Sequence, residues 1–220
     1  MLLSTQRIRN IFKNVFYRCL PKHILFFKGQ INNNSKRIAL TFDDGPHPEC
    51  TQHILNVLKE ANVKATFFLS GSKAKKYPGL VKQVIEDKHE IGNHAFSHHR
   101  LEMSYVGISK EVQETDRVIQ NLAGATPKFF RPPYGKLNLK LLLYIFLKKK
   151  TLVLWSLDSG DSYDKSSNRI RDRLKTAKPG DIILMHEDSK HILEVLPLII
   201  RDIKKKRLNF VTISKVIEKL

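Results

Sequence analysis

The sequence predicts an α/β fold built on parallel strands, and three observations carry that prediction. Short β-rich runs alternate with longer helical ones from residue 37 to the end of the 220-residue chain. Several of the short runs, "IALTF", "ATFFL" and "DIILM", are almost continuously apolar, as befits parallel strands covered on both sides. Polar clusters recur just after these runs. In parallel α/β folds all strand C-termini lie at one end, and that end carries the site.

In chain order the expected strands are 37–42 (RIALTF), 64–70 (KATFFLS), 89–93 (HEIGN), 127–131 (PKFFR), 151–157 (TLVLWSL), 181–186 (DIILMH) and 209–213 (NFVTI). Helical stretches fall between them near 49–61, 73–87, 107–122, 137–149, 166–177 and 190–206, with a last one from 214. Repeated strand–helix units with short connections imply a doubly wound sheet or a barrel. Upstream, Ile8, Ile11, Phe12, Val15 and Phe16 recur at helical spacing beside Arg7, Arg9, Lys13 and Arg18. This describes a basic amphipathic helix, and Asn32-Asn33-Asn34-Ser35 reads as the linker that follows it. The division is therefore a helical extension and linker over 1–35 and one domain over 36–220. The helix is expected to pack one face on the domain, with peripheral membrane contact through residues 1–30 as the alternative.

Composition bounds the function classes. Lys and Arg number 39 against 21 Asp and Glu, a formal charge of +18. Residues 1–37 hold eight of those cations and no acid. Such an excess can attract an anionic polymer or lipid. The lysine runs are scattered and lack aromatic interleaving, so they read as solvated helix faces and no specific nucleic-acid partner is expected. Cys19 and Cys50 form no CxxC pair, which gives neither a disulfide framework nor a zinc knuckle. No run reaches the ~18 apolar residues of a membrane span, and no signal-peptide core is read. The expectation is a cytoplasmic or membrane-peripheral protein of unspecified oligomeric state.

"RIALTFDDGPHP" (37–48) ends an apolar run in two adjacent carboxylates. Side by side they repel unless each has its own partner, such as a metal for one and an arginine for the other. A solvated turn is the competing reading. The other clusters supply the partners. His94 and His98 stand four apart in "NHAFSHH"; with Asp44 they make two imidazoles and a carboxylate, a fit for a borderline divalent ion. Three protein ligands leave positions for water and substrate. His99 is a third imidazole expected to point elsewhere, and His47, His53 and His89 read as surface or helix-end residues. Asp43 is then placed to take a proton from an attacking water, with Arg131 orienting it as a bidentate donor.

In "RPPYG" (131–135) the two prolines stiffen the backbone and offer no N–H, so the first free amide is that of Tyr134. A stiff amide beside a metal suits a developing oxyanion; a plain proline turn is the alternative. His186 closes the "DIILMH" run as a proton donor for a leaving amine. Asp161 is its expected carboxylate partner and Asp158 the second choice. Trp155 and Leu184 either line a small apolar pocket or belong to the core.

"TFDDG", "HAFSH", "RPPYG", "WSLDSGD" and "LMH", in that order over residues 37–215, resemble the five motifs of polysaccharide deacetylases, the NodB-homology domains of carbohydrate esterase family four. The resemblance implies a distorted barrel of seven or eight βα units and hydrolysis of an N-acetyl group on a sugar. Carried over, it makes Asp43 the base, and makes Asp44, His94 and His98 the ligands of one divalent ion, Zn2+ before Co2+ or Ni2+. It makes Arg131 the residue that orients the base and the Tyr134 amide the oxyanion donor. Leu184 becomes the acetyl-pocket residue and His186 the acid, with Asp161 its partner. The implied partner is an N-acetylated carbohydrate such as peptidoglycan or chitin-like oligomers. The fourth motif departs from the family, because Ser162 stands where a wall-forming Trp is usual, and Tyr163 is a candidate replacement. The competing function is a non-catalytic carbohydrate-binding or membrane-surface protein on the same scaffold.

Overall fold

The computed structural model describes residues 25–26, 36–99 and 104–218, the first pair as backbone only. Among the described residues nine strands carry the fold: β1 Leu25–Phe26, β2 Arg37–Gly45, β3 Thr66–Leu69, β4 Glu90–Asn93, β5 Phe129–Phe130, β6 Thr151–Val153, β7 Leu157–Asp158, β8 Ile182–His186 and β9 Asn209–Val211. The helices are α1 Cys50–Glu60, α2 Gly71–Lys76, α3 Pro78–Glu86, α4 Tyr105–Ala123, α5 Leu139–Leu147, α6 Ser167–Leu174, α7 Lys190–Lys205 and α8 Ile213–Ile217. Every strand pair is parallel, in the order β1-β6-β5-β4-β3-β2-β8-β7, with β9 against the start of β2. Among the described residues β1 and β7 do not pair, so the sheet curls into an open, distorted (β/α) barrel, as the resemblance implied.

Several elements differ from expectation for local reasons. The helix expected over 73–87 is two, split at Tyr77. Pro78 has no N–H to continue α2 and pushes the preceding residue out of the helical region. The strand expected over 151–157 is also two. β6 pairs with β5 and β7 with β8, and the carbonyls of Val153 and Leu154 at the break accept hydrogen bonds from Arg131 instead. β1 lies within the stretch expected as extension and linker; the amphipathic helix and the Asn-rich linker fall outside the described residues. Lys150, expected in a solvated run, is buried, with Nζ donating to Asp116 Oδ1 (2.9 Å) and the Pro127 carbonyl (2.7 Å). The helix α7 continues through Pro197, at a cost of about 3 kcal/mol. Six buried aliphatics at helical spacing, Ile192, Val195, Leu196, Ile199, Ile200 and Ile203, outweigh it at roughly 1.5–3 kcal/mol each.

Strand alternation sorts the core into two faces. On β2, Ile38, Leu40 and Phe42 pack outward with Ile54, Leu55 and Leu58 of α1 and with the buried face of α7. Ala39 packs in the barrel interior with Phe68, Phe129, Val153 and Ile182. Thr41 and Asp43 follow Ala39 at period two and so share the inner face. On β8 the same rule sends Ile183 and Met185 outward and leaves Leu184 and His186 inside. The register sets Thr41 beside Leu184 and Asp43 beside His186.

Candidate active site

The strand C-termini converge on one cavity of about 800 Å3. Its walls include Asp43, Asp44, His94, His98, Leu184 and His186, together with Tyr134, Trp155 and Asp161. All ten residues expected at the site lie here except Arg131, which is fully buried beneath it.

Asp44, His94 and His98 each offer a ligand atom within 4.8 Å of the other two. Asp44 Oδ1 is 2.8 Å from His98 Nε2 and 3.4 Å from His94 Nε2. That oxygen is buried, yet no hydrogen bond of acceptable geometry reaches it. Three donors that crowd one point without bonding each other fit a cation at that point. Two imidazoles and a carboxylate are the donor set for a borderline divalent ion such as Zn2+. His94 donates from Nδ1 to the Arg131 carbonyl at 2.7 Å, which turns its Nε2 lone pair toward the site. Burial opposes a charge on Asp44, but the contacts with His94 and His98 prevail and hold its carboxyl far below the usual range. For His94 burial favours the neutral ring, while Asp43 and Asp44 draw its pKa upward. Asp44 and His98 both adopt left-handed backbone, at φ 68° and 58°, a strain of about 1–3 kcal/mol each that surrounding contacts must hold.

The His94–His98 loop is held by the amides of Gly71 and Ser72, which donate to the Ala95 and Phe96 carbonyls, and by side-chain bonds that involve α4. Asn93 donates from Nδ2 to the Val112 carbonyl and to Asp116 Oδ1, and accepts from the Ala95 amide. Glu111 accepts from the amides of Phe96 and Ser97 and from the Ser97 hydroxyl, at 2.8–2.9 Å. Neither residue was singled out in the sequence. Their roles depend on where α4 crosses the loop, which local pattern does not encode. His99 turns away to Ser97 Oγ, as expected. His47 caps α1, accepting at Nδ1 from the Glu49 and Cys50 amides, and His53 is exposed. His89 follows α3 but is buried rather than on the surface, accepting from the Ala65 amide.

Arg131 spends every guanidinium nitrogen. Nη1 donates to Asp43 Oδ1 and Thr41 Oγ1, both at 2.7 Å, while Nε and Nη2 donate to the Val153 and Leu154 carbonyls. Its contact with Asp43 is through one nitrogen, not the two-point fork expected. The guanidinium lies 4.1 Å from the Phe68 ring centroid, a favourable placement for a cation. Burial lowers the Arg131 pKa and Asp43 counters it. The second Asp43 oxygen is left facing the cavity, 3.7 Å from His94 Nε2.

His186 donates from Nδ1 to Asp161 Oδ1 at 2.7 Å, and the other Asp161 oxygen accepts the His186 amide at 2.9 Å. Between the two expected partners the structure selects Asp161; Asp158 instead accepts the Gly160 amide. Burial disfavours a charged His186, but Asp161, with Asp43 and Asp44 behind it, overcomes this and raises its pKa to about 9. Nε2 remains for proton exchange.

Tyr134 is left-handed at φ 59°, with its ring centroid 5.0 Å from that of His98. Trp155 is half-buried and packs against Gly135, where a Cβ would lie 2.6 Å from the indole. Leu184 is buried. Ser162 and Tyr163 both line the cavity; Tyr163 is exposed and its ring sits 5.6 Å from the Arg173 guanidinium.

The family model described as polysaccharide deacetylase matches residues 30–146. A peptidoglycan-N-acetylglucosamine deacetylase of Bacillus cereus is 37% identical over 90% of this chain and 74% of its own length. The peptidoglycan-N-acetylmuramic acid deacetylase PdaC of Bacillus subtilis is 33% identical over 94% of this chain and 44% of its own. Among solved structures, the Bc1960 peptidoglycan N-acetylglucosamine deacetylase superposes with a TM-score of 0.86 at 35% identity, covering 95% of this chain and 97% of that one.

Proposed function

The chain belongs to the polysaccharide deacetylase family, and from that premise we propose that it is a metal-dependent N-deacetylase of an N-acetylated amino sugar in a glycan. Peptidoglycan is the favoured glycan, because the relatives act on it and the +18 charge suits retention on an anionic polymer. The observation that carries the reading is the division of labour between the paired aspartates. Asp44 joins His94 and His98 around one point, while Asp43 is held by Arg131 with its other oxygen on the cavity.

Asp44, His94 and His98 would hold the ion. Zn2+ suits the donor set best, with Co2+ or Ni2+ as alternatives. When bound it supplies Lewis acidity, lowering the pKa of a water and polarising the acetyl carbonyl. The residues of the chain do the rest. Asp43, immobilised by Arg131, accepts the proton of the attacking water. The stiff Tyr134 amide donates to the developing oxyanion. Leu184 and Trp155 take up the acetyl methyl and exclude water from it. His186, protonated through Asp161, gives its proton to the departing amine, so acetate and a free amino sugar leave.

The deciding experiment loads the protein with Zn2+ and measures acetate from N-acetylglucosamine oligomers and from peptidoglycan. Release from either, abolished by a chelator and restored by the metal, is expected. Stoichiometric zinc binding with no acetate from either substrate would overturn catalysis in favour of a carbohydrate-binding module.

A further inference from the structure

Among the described residues the mechanism leaves the buried carboxyls of Asp164, Asp181 and Glu187 unused. Glu187 is 0% exposed, and its Oε1 has no hydrogen-bond partner. Burying half a carboxyl unmet is costly, and an apolar side chain of that size would avoid the cost. Its position explains it. A Cβ built on Gly45 would lie 1.5 Å from Glu187 Oε1 and 2.1 Å from Cδ. Gly45 is not among the left-handed glycines, so what glycine supplies there is space, and Glu187 fills it.

The turn behind which Glu187 sits carries the ligand Asp44 in left-handed backbone, a state that persists only where its surroundings over-determine it. The restraints are countable. The Asp43 carbonyl accepts from the Glu187 amide (2.9 Å), the Asp44 carbonyl from Lys73 Nζ (2.7 Å) and the Gly45 carbonyl from the Ser70 amide (2.9 Å). The His47 amide donates to Thr51 Oγ1 at 2.7 Å, and Thr51 donates its own hydroxyl to Glu187 Oε2. Backbone and side chain of Glu187 therefore grip the turn at both ends and from behind.

We propose that Glu187 is a positioning residue for Asp44: through Thr51 and its contact with Gly45 it holds the Asp43–His47 turn in the form that presents the ligand oxygen to the cation. The inference rests on the metal-dependent reading above. Supporting contacts around metal ligands typically govern affinity by 10–100-fold, so Zn2+ affinity is the measurement, by chelator competition, beside the unfolding midpoint of the metal-free protein. Glu187→Ala should weaken Zn2+ binding by about 10-fold or more, and Glu187→Gln, of the same shape, should stay close to the parent. Gly45→Ala should weaken it too, and the two losses should not add, because the new methyl at 45 already displaces the Glu187 carboxyl. A Glu187→Ala variant that binds Zn2+ as tightly as the parent, whatever its midpoint, overturns the proposal, as do losses that simply add in the double variant. Should Glu187→Ala fail to fold, Thr51→Val removes both hydroxyl bonds that link Glu187 to the turn, the one to Glu187 Oε2 and the one from the His47 amide, and unchanged affinity there is equally decisive. A parent protein that binds no Zn2+ would instead refute the metal-dependent reading itself.

Discussion

His98 Nε2 stands 2.8 Å from Asp44 Oδ1, yet that buried oxygen accepts no well-formed hydrogen bond. Together with His94 Nε2 they form a cluster of donor atoms within 4.8 Å of one another. This relationship separates Asp44 from its neighbour Asp43, whose bond to Arg131 has ordinary donor–acceptor geometry at 2.7 Å. The adjacent carboxylates thus turn to different partners, Asp43 to the Arg131 guanidinium and Asp44 to the imidazoles of His94 and His98.

Substituting the two aspartates should therefore fail in different ways. Asp44→Ala should lose stoichiometric zinc, read by metal analysis after gel filtration. Asp43→Asn should keep zinc and lose about 10²–10⁴ in turnover, the scale of a missing general base. Equal zinc loss in both variants would contradict the division of roles.

Arg131 matters to folding as well as to chemistry. Its charge and that of Asp43 are both desolvated, so Arg131→Ala strands a buried carboxylate and should cost about 3–5 kcal/mol by denaturant titration. Arg131→Lys keeps a charge but cannot reach Thr41, Asp43 and two carbonyls at once. It should be the milder variant in stability and still impaired in turnover.

The metal-free protein should lose stability as pH rises from about 4.5 to 9, most steeply between 6.5 and 8. His186 has a folded pKa of about 9 against 6.5 unfolded, so its contribution is complete below 6.5 and gone above 9. Glu187 is pushed by burial to about 8 from 4.5, so ionisation in the unfolded chain adds to the loss up to pH 8. Together they account for on the order of a few kcal/mol. Denaturant midpoints across that window should fall for the parent and fall less for Glu187→Gln.

Asp161 raises the proton affinity of His186, the proposed acid. With Asp161→Asn the alkaline limb of kcat/KM should shift to lower pH, because the neutral amide no longer favours imidazolium. The acidic limb, governed by other groups, should move little. A pH–rate profile of the zinc-loaded protein in both forms checks this; coincident alkaline limbs would remove Asp161 from that role.

Much of the site was legible in the chain because its chemistry sits in short contiguous motifs at strand ends. "TFDDG" carries both aspartates, "HAFSH" both imidazoles and "LMH" the cavity-lining Leu184 and His186. Strand alternation alone places Leu184 and His186 on one face. The supporting residues were not legible. Glu111 and Asn93 act through the crossing of α4 over the ligand loop, and Lys150 looked like part of a solvated run until Asp116 and the Pro127 carbonyl claimed it.

What the sequence determined by itself was the alternation of strands and helices and the polar residues that gather at the strand ends, since apolar period and motif spacing are local. Only the tertiary structure decided that Asp161 and not Asp158 meets His186, that one strand breaks into β6 and β7 so its carbonyls can serve Arg131, and that Glu187 fills the hollow behind Gly45. These are contacts between segments up to about 140 residues apart (Gly45 to Glu187). Their partners are selected by burial and by the register of neighbouring parallel strands, and neither quantity exists until the chain has closed on itself.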